Sequence, residues 1–148
     1  MKAKDIMNTN VITVSENATI EEIARTLVDN NISGVPVVDN KGNVVGIVTE
    51  GDLLRKKANP RIPGFIGVLG GIIHYRGVEE YQEDFKKIAA LKAKEIMSED
   101  LVFVTEDTEL EEVASLLLKH NIKRLPVLKD NKLVGIISRA DIIKTLLN

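Results

Sequence analysis

The sequence contains no cysteine, so disulfides, thiolate metal ligands and cysteine nucleophiles are excluded. Charge of either sign is not in excess. Against 22 Asp and Glu stand 20 Lys and Arg, a net charge of -2, which offers no general attraction to polyanions and argues against nucleic-acid binding. Long apolar runs are also missing. The longest apolar stretch, residues 62–75, is broken by Pro63, Gly64, Gly67, Gly70 and Gly71 and falls short of the roughly 20 residues that span a bilayer, so no membrane span is expected. The segment from Met1 to Met7 lacks the apolar core and small-residue cleavage site of a secretory signal, which predicts a cytoplasmic protein. The two histidines, His74 and His120, have no second ligand at metal-binding spacing, and no metal site is expected.

What is present is an ordinary globular composition: 148 residues, 44% hydrophobic and 28% charged. A chain of this length buries roughly two thirds of its unfolded surface and supports a core without covalent staples. Its organisation is an internal duplication at an offset of about 90 residues, shortening by one in a turn. Ala3-Lys4-Asp5-Ile6-Met7 returns as Ala93-Lys94-Glu95-Ile96-Met97, and Val35-Pro36-Val37 as Leu125-Pro126-Val127. With only two units a solenoid is disfavoured, and a pair that buries its apolar faces mutually is the better reading.

Each unit has the same periodicities. Val11–Val14 and Leu101–Val104 suit short strands. Thr19-Ile20-Glu21-Glu22 and Thr108-Glu109-Leu110-Glu111 read as capping boxes. Helical stripes follow, Ile20, Ile23, Ala24, Leu27 and Val28 in one unit and Leu110, Val113, Ala114, Leu117 and Leu118 in the other, and are expected in the core. Asn30-Asn31 and His120-Asn121 should stop these helices, since Asn tolerates the left-handed conformation. A hairpin and a further helix complete each unit: strand, helix, strand, strand, helix. Between the units, a Gly- and Pro-punctuated segment reads as packing or docking chain, and Val78, Tyr81, Phe85 and Ile88 share one helical face. The expected division is residues 1–57, an insert at 58–90, and 91–148.

Chemistry concentrates in Gly46-Ile47-Val48-Thr49-Glu50-Gly51-Asp52 and its copy Gly135-Ile136-Ile137-Ser138-Arg139-Ala140-Asp141. Glycine allows close backbone approach, a hydroxyl opens a helix, and a carboxylate follows one turn later. A helix amino terminus with a hydroxyl suits phosphate, and an ionised Asp accepts two hydrogen bonds from vicinal ribose hydroxyls. Ser/Thr-x-x-Asp is equally a capping pattern, so both readings stand. The Lys123-Arg124 pair, opposite Ser33-Gly34 in the first unit, suits phosphate through the guanidinium fork or is a solvated basic pair. Spacing does not say which cleft it reaches. No Ser-His-Asp, Cys-His or paired-carboxylate arrangement is present, which predicts a binding module without catalytic residues.

Together the Ile-Met segments, the Asn-Ile-x-x-apolar-Pro-Val segments (Asn31 to Val37, Asn121 to Val127) and the two Gly-apolar-x-Thr/Ser-x-x-Asp motifs resemble the cystathionine-β-synthase domain in its tandem form, the Bateman module. The resemblance implies an α+β fold, two β-α-β-β-α repeats related by a pseudo-two-fold axis, with two clefts that take AMP, ADP, ATP or S-adenosylmethionine in various members, and no required cofactor. It implies that Asp52 and Asp141 hold ribose, Thr49 and Ser138 approach phosphate or ribose, and Ile47 and Ile136 flank the ligand. The base would lie against Asn10 to Thr13, including Ile12 and Thr13, with Ile32, Ser33, Gly34, Val35 and Pro36 for one cleft. For the other, the counterparts are Asp100 to Phe103, including Val102, with Ile122, Lys123, Arg124, Leu125 and Pro126. A homodimer is implied, with Leu53, Leu54, Ile142, Ile143, Leu146 and Leu147 as surface or core, and with a protein target. A purely structural module with empty clefts is the alternative.

Overall fold

The computed structural model describes residues 1–54 and 90–147. The expectations for the insert, including its Gly-rich half, His74 and the Val78, Tyr81, Phe85 and Ile88 face, lie outside the described residues.

In the first unit, α1 (Ala3–Ile6) is followed by β1 (Val14–Ser15), α2 (Ile20–Asp29), β2 (Gly34–Val38), β3 (Val44–Thr49) and α3 (Glu50–Leu54). In the second, α4 (Ala93–Ile96) is followed by α5 (Leu110–Lys119), β4 (Arg124–Lys129), β5 (Lys132–Ser138) and α6 (Arg139–Thr145). β1 runs parallel to β2, which pairs antiparallel with β3; β4 and β5 form the matching hairpin.

The predicted first strands are shorter than expected. Only Val14–Ser15 forms a strand, and in the second unit the pairing is a single parallel bridge between Val104 and Val127. Proline explains the truncation. The Val104 N–H donates to the Pro126 carbonyl at 3.0 Å and the Leu128 N–H to the Val104 carbonyl at 2.8 Å. The next rung back would need an N–H from Pro126, which has none, so the ladder ends and residues 101–103 leave it. Pro36 stands at the same place in the first unit.

Helix ends follow the chemistry of their residues. Thr19 caps α2 in a full box: its hydroxyl accepts from the Glu22 N–H, and the Glu22 carboxylate accepts from the Thr19 N–H. The second box does not form. Glu109 occupies the N-cap of α5 without a side-chain bond, while Thr108, one residue early, accepts instead from the Thr105 N–H at 3.0 Å. Asn31 and Asn121 both adopt φ of 51°, and Ile32 and Ile122 close the helices back onto the Leu27 and Leu117 carbonyls.

The cores are wholly apolar among the described residues. Ile23, Leu117, Leu125 and Ile137 are fully buried, each contributing about 1.5–3 kcal/mol of transfer free energy. Two stripe residues depart from expectation. Val28 and Leu118, in the last turns of α2 and α5, are 78% and 72% exposed, because the narrow sheets cover only the Ile20, Ile23 and Leu27 line and its Val113 and Leu117 counterpart.

The two units exchange their leading helices. Ala3 is buried in the core of the second unit beside Val104 and Val113, and Ala93 and Ile96 in that of the first. The Ala3 and Lys4 N–H groups donate to the Thr108 and Glu106 carbonyls, and those of Ala93 and Lys94 to the Ala18 and Glu16 carbonyls. Alanine at both positions lets the helix backbone come this close. Among the described residues no helix is long and apolar enough to cross a membrane.

Candidate functional site

The exchange creates a cleft between the units. Behind each leading helix a methionine crosses onto a glycine of the other unit: a side chain on Gly46 would stand 2.7 Å from the Met97 sulfur, and one on Gly135 2.5 Å from that of Met7. A Cβ at either place would force the approaching thioether of the other unit to shift, and at Gly46 the Ser98 carbonyl oxygen, 2.8 Å away, as well. Ile47 and Ser98 then exchange backbone hydrogen bonds of 3.0 and 2.9 Å, as Ile136 and Asn8 do on the other side. These bonds carry residues 98–102 past the end of β3.

The resulting cleft has a volume of about 550 Å³, within the range of ligand pockets. Its walls come from both units. The first unit supplies Ser33, Gly34, Ile47 and Thr49 through Asp52; the second supplies Ser98, Asp100 through Val102, His120 through Arg124, Pro126 and Ile136. The motif carboxylate is oriented by its own helix cap. One oxygen of Asp52, Oδ2, accepts from the Thr49 N–H at 2.8 Å and from the Thr49 hydroxyl at 3.1 Å. The other, Oδ1, has no hydrogen-bond partner among the described residues. Opposite, the Arg124 guanidinium donates to the Ser33 hydroxyl at 3.0 Å, a contact between the units. The capping and ligand readings of the motif are thus compatible, since the cap uses one carboxylate oxygen and fixes the direction of the other.

A family model for the CBS domain matches residues 3–59 and 93–148. The chain belongs to the CBS-domain family. It is a tandem CBS pair, the Bateman arrangement. An uncharacterized protein of Methanocaldococcus jannaschii, MJ1426, is 32% identical over 99% of this chain and 92% of its own. Among solved structures, CBSX2 of Arabidopsis thaliana in complex with AMP superposes with a TM-score of 0.73 at 25% identity, over 99% of this chain and 96% of that one. The CBS domain pair of MJ0100, in complex with 5′-methylthioadenosine and S-adenosyl-L-methionine, superposes with a TM-score of 0.69 at 27% identity, over 99% and 95%. Other relatives are longer, and the CBS pair spans less than half of three from Methanocaldococcus jannaschii.

Of the residues named from sequence, the cleft brings together Ile47, Thr49, Asp52, Ser33, Gly34, Val102, Ile122, Lys123, Arg124, Pro126 and Ile136. Ile12, Thr13, Ile32, Ser138 and Asp141 do not line it. Ser138 and Asp141 form the cap of α6, the Ser138 hydroxyl accepting from the Asp141 N–H at 3.1 Å and the carboxylate from the Ser138 N–H at 2.9 Å. Val35 and Leu125 have side chains completely buried in the two cores, Pro36 is buried beside them, and none of the three lines this cleft. Phe103 is half-exposed outside the cleft wall, between Val102 in the wall and Val104 in the core.

Sequence reasoning missed Ser98, Glu50, Gly51, His120 and Asn121, which also line the cleft. Glu50 and Gly51 were legible as the variable positions inside the motif. His120 and Asn121 were assigned only as a helix end, and Ser98 is brought in by the exchange, for which the sequence carries no local signal. Among the described residues no cluster of three or more His, Asp or Glu is arranged to hold a metal ion.

Proposed function

We propose that this CBS pair is a non-catalytic regulatory module that takes an adenine nucleotide in the cleft built from both repeats, and that occupancy alters the relation of the repeats or of two subunits and so reaches a protein partner. The observation that carries this reading is the convergence of Asp52 and Arg124 on one cleft from opposite repeats. With Oδ2 held by the cap, Oδ1 is left to accept from the vicinal hydroxyls of a ribose, while Arg124 and Lys123 supply the cations for a phosphate. Ile47, Ile122 and Ile136 offer apolar surface to a base.

A ligand shifts such a module only through unequal affinity for its two arrangements. The construction of the cleft suits this, since a nucleotide spanning Asp52 and Arg124 would bridge both repeats. A homodimer extends the reading. Ile143, Leu146 and Leu147 leave 60%, 79% and 83% of their surface exposed at the carboxyl end, whereas Leu53 and Ile142 pack on the cores.

An S-adenosylmethionine-type ligand is the second reading. Glu50 and Asp100, anionic in the same walls, favour its cationic groups, and the similar MJ0100 pair was solved with that ligand. The test is thermal unfolding with AMP, ADP, ATP, S-adenosylmethionine and GTP, for the wild type, Asp52→Ala and Asp141→Ala. A ligand at 100 times its dissociation constant stabilises by about 2.7 kcal/mol. The expected result is a selective rise with an adenine ligand that disappears in Asp52→Ala and persists in Asp141→Ala. No rise with any of the five would leave the clefts empty and the module structural.

A further inference from the structure

Arg124 is a partly buried arginine whose guanidinium meets no carboxylate among the described residues, although Glu50, Asp52 and Asp100 line the same cleft. Among the described residues its side chain bonds to a neutral hydroxyl, that of Ser33, at 3.0 Å and across the repeat boundary. Arg139, at the start of α6, behaves differently. Arg139 turns away onto α5, donating to the Ile122 carbonyl at 2.9 Å and to Asn121 Oδ1 at 3.3 Å, where it holds the helix end.

A flexible arginine loses much rotamer freedom when it is fixed on a phosphate, and a prior contact that holds the side chain without neutralising it removes part of that loss. Ser33 meets this description. It engages one N–H of five, leaves the others for an anion, and adds no negative charge.

We propose that Ser33 is a positioning residue for a phosphate group: it braces Arg124 over the cleft, so that the cleft discriminates a nucleoside phosphate from the bare nucleoside. This rests on the adenine-nucleotide reading of the cleft. It also makes the pair one-sided, because the duplication puts Gly34 where the second repeat has Arg124, and Lys123 where the first has Ser33. The equivalent brace therefore cannot form on the other side, where glycine has no side chain to hold.

The test is calorimetric titration of the full chain with AMP and with adenosine, using the wild type, Ser33→Ala, Ser33→Thr, Arg124→Ala and the Ser33→Ala/Arg124→Ala double variant. Loss of a charge-assisted contact of this kind should weaken AMP about 5- to 30-fold in Ser33→Ala. Adenosine affinity should stay unchanged, and Ser33→Thr, which keeps the hydroxyl, should keep AMP affinity. In the Arg124→Ala background, removing Ser33 should have no further effect, which a merely structural role for Ser33 would not produce. Equal weakening of AMP and adenosine, or the same loss with and without Arg124, overturns the brace. So does unchanged AMP affinity in Ser33→Ala alongside a clear loss in Arg124→Ala, and in that case the nucleotide reading survives. If neither ligand binds the wild type, or AMP binds no better than adenosine, the phosphate reading of the cleft fails and the brace with it.

Discussion

Gly46→Ala tests the exchange of leading helices and the cleft wall together. A Cβ at this position would stand 2.7 Å from the Met97 sulfur, 2.9 Å from its Cγ and 2.8 Å from the Ser98 carbonyl oxygen. The thioether end is able to swing away, but the carbonyl is backbone and is short of ordinary contact by more than half an ångström. It moves only if residues 97–98 move, and the Ile47–Ser98 pair of bonds at 3.0 and 2.9 Å lies on that segment. Overpacking of this kind costs about 1–3 kcal/mol. For a domain of this size that lowers Tm by roughly 2–4 °C per kcal/mol. Gly34→Ala is the internal control, because its nearest atoms would be Thr49 Cγ2 at 3.3 Å and the Val48 carbonyl at 3.4 Å, which demand little movement. Calorimetric unfolding should rank Gly46→Ala well below Gly34→Ala, and the displaced Ser98, Asp100 and Val102 should weaken any AMP-induced rise in Tm. If the two variants melt together, within about 1 °C, the second repeat does not approach Gly46 this closely.

Two further outcomes follow from the contrasts between repeats. Glu109→Thr should stabilise the protein by about 0.5–1 kcal/mol, seen as a higher urea midpoint with unchanged slope, because it places a capping hydroxyl where Thr19 stands in the first repeat and Glu112 already occupies the Glu22 position. Asp107 is held below its ordinary value of 3.8, first by a hydrogen bond from Lys4 and then by the charges of Lys4 and Lys2, at 3.3 and 3.7 Å. With a lowered folded-state value its contribution is present above the ordinary carboxylate range and is lost as pH falls through the folded-state value. A carboxyl-detected NMR titration should find the midpoint below 3.8 and see it return towards 3.8 in Lys4→Gln; an identical midpoint in the two proteins would remove the pairing.

Local signals marked the helices at Ile20–Asp29 and Leu110–Lys119, through periodicity and end residues, and both hairpins, through apolar runs either side of a turn. Asp52, Thr49 and Arg124 were legible as types: a carboxylate one turn after a hydroxyl, and a guanidinium at a strand start. Their meeting was not legible, because it depends on the exchange. Ala3 reads the same in sequence whether it packs on its own repeat or the other, and nothing in Met97 announces Gly46 as its seat. The first strands were overestimated for a related reason. Val11 and Leu101 have strand propensity, but a strand needs a donor opposite, and Pro36 and Pro126 remove it.

The two copies carry different side chains where they face this cleft. The cap of the last helix and the core positions persist in both, with Ser138 and Asp141 reproducing the cap of Thr49 and Asp52. Glu50 has become Arg139, and Arg139 serves the end of α5 through the Ile122 carbonyl. Ser33-Gly34 faces Lys123-Arg124, so both the brace and the fork belong to one side. The unequal charge across this shared cleft, carried by Lys123 and Arg124 from one repeat and Glu50 and Asp52 from the other, directs the first titrations to Asp52 and Arg124 before Asp141.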